Sequence, residues 1–126
     1  MAKGQSFLVP DKNIQGDTFH LHVIISNPDD DDNVLAVPVC TYSDKPWQDT
    51  SCLLPAGCHP FVNKRSYISY QNAKEMSLVK IFNGIQKGLL IRKDDFDMRF
   101  VQDMQKGAES SMSLPNKFSR FFKLFV

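Results

Sequence analysis

Apolar and polar residues alternate most clearly in FHLHVIIS, residues 19–26. Phe19, Leu21, Val23 and Ile25 fall on one face of a strand, and His20, His22, Ile24 and Ser26 on the other. NPDDDDN (27–33) is rich in turn-forming residues and reads as a solvated hairpin loop. Its four successive aspartates invite calcium, but the glycine and distal glutamate of an EF-hand loop do not follow. VLAVPVCTY (34–42) is a second strand, in which Pro38 has no amide to donate and so marks an edge or a bulge. SDKPWQDT (43–50) is a loop with an exposed tryptophan. SCLLPAGCHPF (51–61) predicts a short strand, a Pro-Ala-Gly turn and a return, and SYISY (66–70) a further strand. Closely spaced strands joined by short turns favour a small antiparallel barrel over an open sheet.

The flanks read differently. Residues 1–16, with Gly4, Pro10 and Gly16, have the look of an irregular arm. From Met76 to Leu90 the pattern is mixed, broken by Gly84 and Gly88. KDDFDMRFVQDMQKGA (93–108) predicts a helix capped by Asp94 or Asp95, striped by Phe96, Phe100, Val101 and Met104, and ended by Gly107. SLPNKFSRFFKLF (113–125) predicts another, with Ser113 as cap and Pro115 in the first turn. Phe118, Phe121, Phe122 and Phe125 fall on one face of it, which is expected to dock on the protein's own core or on a twin subunit rather than on lipid. The expected fold is therefore mainly β with α additions. It is one domain over 1–126, with a barrel over about 19–92 and a helical region over about 93–126.

Composition narrows the class. No apolar run approaches the ~18 residues of a membrane span, and the first residues lack the apolar core of a signal peptide. A cytoplasmic protein without a membrane partner is expected. Cys40, Cys52 and Cys58 make an odd count with no CxxC spacing, so they read as small apolar residues rather than as a disulfide or metal framework. Residues 1–73 hold five basic and eight acidic side chains, and residues 74–126 ten and six. Neither half is basic enough to announce nucleic acid by charge alone, so any RNA must be held by a few placed groups.

The segments HLHVIISNP, VPVCTY, SCLLPAGCHPF and SYISYQNA, with GIQKGLLIRKD, QKGAESS and LPNKF behind them, are together similar to the PemK/MazF-like growth-inhibitor toxins. The G-x-H-P-F and S-Y-x-x-Y-x-x-A segments carry most of the likeness. The resemblance implies an SH3-like barrel, a homodimer, RNA cleavage without a metal or other cofactor, and an antitoxin that folds on binding. The family's Arg-Pro at the start of the first strand is matched here by His20-Leu21. Its Thr or Ser at the end of the next strand is matched by Thr41.

Metal-free RNA cleavage needs a base for the 2′-hydroxyl, an acid for the leaving 5′-oxygen and a donor for the crowded phosphorane. Histidine suits the first two roles. His20 and His59 are the expected catalytic pair, with Thr41 donating to a phosphate oxygen. Lys64, Arg65 and Ser66 are placed to hold phosphate, and Trp47 or Tyr70 to stack on a base. The same histidines have a rival reading: His20 and His22 share a strand face, and with His59 they would resemble a three-histidine zinc site. A further alternative is a non-catalytic barrel that only binds, since a fold does not fix a function.

Overall fold

The computed structural model describes residues 3–10 and 19–124. The described residues hold seven strands: β1 (Ser6–Pro10), β2 (Phe19–Ile24), β3 (Asn33–Thr41), β4 (Leu53–Leu54), β5 (Ser66–Ile68), β6 (Lys74–Ser77) and β7 (Ile91–Lys93). They form one antiparallel sheet in the order β4-β5-β3-β2-β1-β7, with β6 also paired to β3. Among the described residues these pairings do not close into a ring. Among the described residues three short helices accompany the sheet: α1 (Leu78–Gln86), α2 (Met98–Ser110) and α3 (Arg120–Lys123).

The sequence-based arm is in part a strand. Phe7, Leu8 and Val9 are buried, and β1 lies between β2 and β7. Four buried positions are too few for alternation to stand out in the sequence. The remainder of that segment, 11–18, lies outside the described residues.

β3 is the hub. It pairs with β2 along one side, and along the other with β6 over Asn33–Ala36 and β5 over Val39–Thr41. Pro38 stands at the change of partner. Its carbonyl accepts from Ser69 N–H at 3.2 Å, so its missing amide faces the gap that the 3-10 turn Tyr70–Asn72 leaves in that ladder. A proline in a central strand thus forfeits no ladder bond here.

Both faces of the sheet are covered. Leu21, Val23, Ile25, Leu35, Val37 and Val39 pack with Phe96, Val101, Met104, Ala108, Phe118 and Phe121. Phe7, Val9, Ile24, Val34 and Ala36 pack with Ile81, backed by Leu78, Ile85 and Leu90. The phenylalanine stripe therefore docks on the protein's own core. Phe118 and Phe121 are buried and Phe122 packs against them. Each such burial is worth roughly 1.5–3 kcal/mol. Phe125 lies outside the described residues, and the stripe is carried by a 3-10 turn (Asn116–Phe118) and the single turn of α3, not by one continuous helix.

Helix boundaries shift for local reasons. α2 is capped by Asp97, whose carboxylate accepts from Arg99 N–H at 2.8 Å, rather than by Asp94 or Asp95. Gly107 does not end it; the helix runs on to Ser110. α1, which the two glycines concealed, starts at Ser77, whose hydroxyl accepts from Lys80 N–H. The aspartate loop is solvated at Asp30, Asp31 and Asp32, but not at Asp29. Asp29 is buried, accepts from the amides of Asp31 and Asn33, and pairs with Arg120 Nη1 at 2.9 Å. No helix among the described residues is long and apolar enough to cross a membrane.

Candidate functional site

The β2–β3 ladder stops at Leu21↔Val39. Beyond that point β2 runs back to Phe19 alongside β1, while β3 runs on to Thr41 alongside β5. A groove of about 750 Å³ opens where the two part. His20 and Thr41 both line it, together with Trp47, Lys64 and Ser66. Five of the eight residues singled out by sequence therefore meet in one place.

His20 is the chemically notable member. It is 8% exposed, and its Nδ1 is buried without a hydrogen-bond partner among the described residues. An unsatisfied buried nitrogen is uncommon enough to need a reason. The other members of its row, His22, Ile24 and Ser26, are buried, Ile24 in the cluster that holds Ile81 of α1. Only the end of the row, at His20, reaches the groove.

His59 does not join it. The turn that carries it is tight: Gly57, at φ +86°, follows Pro55-Ala56, and Gly57 N–H donates to the Val62 carbonyl at 2.8 Å. The turn aims the imidazole inward, where it is 3% exposed and stacked on Phe96 at 4.4 Å. Its Nδ1 accepts from Phe61 N–H at 3.0 Å, which places the ring proton on Nε2. That nitrogen donates to the Asp94 carbonyl at 2.6 Å and lies 3.2 Å from Ser6 Oγ. His59 thus fastens the turn to β1 and to the start of the helical region, and both its nitrogens are occupied. The histidine base–acid pair and the three-histidine metal site are corrected accordingly. Among the described residues no three His, Cys, Asp or Glu side chains are placed to hold a metal ion.

Tyr70 is likewise a core residue. It is fully buried, and its hydroxyl donates to the Met104 carbonyl at 2.6 Å. Burial, aided by neighbouring Cys52, pushes its pKa far up. Tyr67 lines the groove in its place. Strand parity holds the signal: Tyr67 faces away from Ile68, whereas Tyr70 continues Ile68's side. Arg65 lies outside the groove wall, with its guanidinium 5.2 Å from the Tyr42 ring. Ser66 is buried and spends its proton on the Lys64 carbonyl at 2.9 Å.

Sequence reasoning missed Phe19, Lys45 and Phe61, all of which line the groove. Phe19, Trp47 and Phe61 are each about half exposed. Lys93 Nζ sits 5.3 Å from the centre of the Phe61 ring. No Asp or Glu lines the groove among the described residues. The arrangement offers ammonium groups and flat aromatic faces around one imidazole, which suits a flexible polyanion with planar groups. Comparison with models of known families, with curated proteins and with solved structures finds no match.

Proposed function

We propose that this chain is a metal-independent endoribonuclease of the PemK/MazF-like toxin class, cleaving single-stranded RNA in the groove between β2 and β3. One observation carries the reading: a groove to which no described residue brings a carboxylate gathers Lys45, Lys64, Trp47 and Tyr67 around His20, whose Nδ1 has no partner among the described residues. His20 takes the 2′-hydroxyl proton as that oxygen attacks phosphorus. The 2′,3′-cyclic phosphate forms as the bond to the 5′-oxygen breaks; water on the opposite, in-line side protonates the leaving oxygen, and the imidazolium releases its proton to solvent. Lys64 and Thr41 stabilise the phosphorane, and Trp47 and Tyr67 stack on the flanking bases. An SH3-like barrel is the architecture this reading implies, supported by the small antiparallel strands and the change of partners along β3.

The same reading makes the protein a homodimer inhibited by an acidic antitoxin. The stretch 76–93 carries Lys80, Lys87, Arg92 and Lys93 and no acid, and it exposes Val79, Phe82 and Leu89. That combination fits an acidic segment with apolar anchors.

The burial of His59 supports a second reading, in which the groove binds RNA without cutting it. Mixed RNA incubated with the protein in EDTA separates the two. Fragments ending in 2′,3′-cyclic phosphate, reduced about 10²-fold or more in His20→Ala with RNA binding kept, establish cleavage. Binding without fragments establishes the binder, and the absence of both rules the groove out as an RNA site.

A further inference from the structure

The loop from Tyr42 to Ser51 is more tightly tied than an exposed connection needs to be. Gln48 makes four contacts to its neighbours. Its Oε1 accepts from the amides of Ser43 and Lys45 at 3.0 and 3.2 Å. Its Nε2 donates to the Thr41 carbonyl and to Ser43 Oγ, each at 3.3 Å. The Tyr42 hydroxyl donates to Asp44 Oδ1 at 2.9 Å, across a left-handed Asp44 at φ +62°. At the far end Asp49 accepts from Ser51 N–H at 2.8 Å and from the Ser111 hydroxyl at 2.6 Å. Between these ties stands Trp47, the single tryptophan, 61% exposed on the groove wall.

We infer that Gln48 is a positioning residue that locks this loop, so that Trp47 stands as a preset stacking surface for a nucleobase. The inference rests on the reading of the groove as a single-stranded RNA site. Its physical basis is preorganisation. A mobile indole would have to be ordered when the base arrives, and that entropy would be subtracted from the stacking energy. Gln48 fits the task because one side chain satisfies two amides and one carbonyl of the turn that precedes Trp47, fixing both ends of the Thr41–Lys45 bend.

Trp47 is its own reporter, since no second tryptophan emits. The probe is a 2′-O-methyl oligonucleotide, which has no 2′-hydroxyl to react. In the wild type it should quench Trp47 emission on binding. Gln48→Ala should lower the fluorescence anisotropy of Trp47 in the free protein and weaken oligonucleotide binding about five-fold, the lower end of one stacking contact. Its melting temperature should stay near that of the wild type. Gln48→Glu, which keeps the two acceptor bonds and loses the donors, should fall between. Wild-type anisotropy and affinity in Gln48→Ala would overturn the inference. If the wild type shows no quenching, the RNA reading of the groove fails, while the free-protein anisotropy still decides whether Gln48 locks the loop.

Discussion

The hydroxyl of Tyr70 occupies the space that any side chain at position 107 would need. Gly107 lies inside α2, and a Cβ there would also come within 2.8 Å of Cys52 Cβ and 3.0 Å of the Ser51 carbonyl. Helix and sheet approach this closely because glycine has no side chain. Gly107→Ala should cost about 1–3 kcal/mol through forced repacking. Gly84→Ala meets only the flexible Leu90 and gains helix propensity, so it should change stability by less than about 1 kcal/mol. Chemical denaturation of both variants checks this. Equal losses would remove the packing explanation.

Tyr70 and Tyr67 should part company in experiment. Tyr70→Phe leaves the Met104 carbonyl without its hydroxyl donor and should cost about 1 kcal/mol of stability. RNA affinity should not change. Tyr67→Ala should weaken RNA binding with a smaller effect on folding, because its ring lines the groove. Weaker binding in Tyr70→Phe at full folding would return Tyr70 to the site.

The histidines should divide in the same way. His59→Ala removes buried bonds to Phe61 and Asp94, and should lower the unfolding free energy by about 1–3 kcal/mol. Any loss of activity should recover when the assay is cooled or the fold is stabilised. His20→Ala should melt close to wild type and lose about 10²-fold or more of the cleavage rate. The measurement is melting temperature beside initial rate for each variant, and a stable, inactive His59→Ala would restore His59 to the chemistry.

Acid should loosen the base of the β2–β3 hairpin. The Asn33 amide, together with Arg120 and the Asp31 amide, holds the Asp29 carboxyl below its usual range. The Arg99 amide and guanidinium do the same for Asp97. The unfolded chain therefore takes up these protons first, so stability rises with pH in this range. The contribution is complete above the ordinary aspartate pKa of about 3.9 and is lost as pH falls through the lower folded values. A thermal-melt series from pH 6 to pH 2 should show the fall. Asp29→Asn, which keeps an acceptor for the two amides but loses the ion pair, should flatten it.

The hairpin, the groove-lining loop and the helical C-terminal region were legible because each has a local signature. Alternation marks β2, a continuous apolar run marks β3, proline, glycine and aspartate mark the turns, and a capped stripe marks α2. The nearness of His20 and Thr41 was legible because a hairpin brings the start of its first strand beside the end of its second. What escaped depends on contacts distant in sequence. His59 sits in a motif that reads as exposed, and only β1 and the chain near Asp94 bury it. Gly107 reads as a helix end until Tyr70 is placed beside it. α1 was hidden because Gly84 breaks the expected pattern, and its close approach to Leu90 becomes visible only in three dimensions.

The placement of β1 between β2 and β7 has a kinetic consequence. Hairpin neighbours such as β2 and β3 close short loops, whereas pairing Ser6 with Lys93 closes most of the chain. The entropy of that closure grows with the logarithm of the loop length and is recovered only after the rest of the sheet exists. β7 should therefore be the last strand to dock and the first to leave. In native-state hydrogen exchange, the amides of Ile91–Lys93 should open at a lower free energy than those of β3, and the N-terminal and C-terminal parts of the chain should lose protection together.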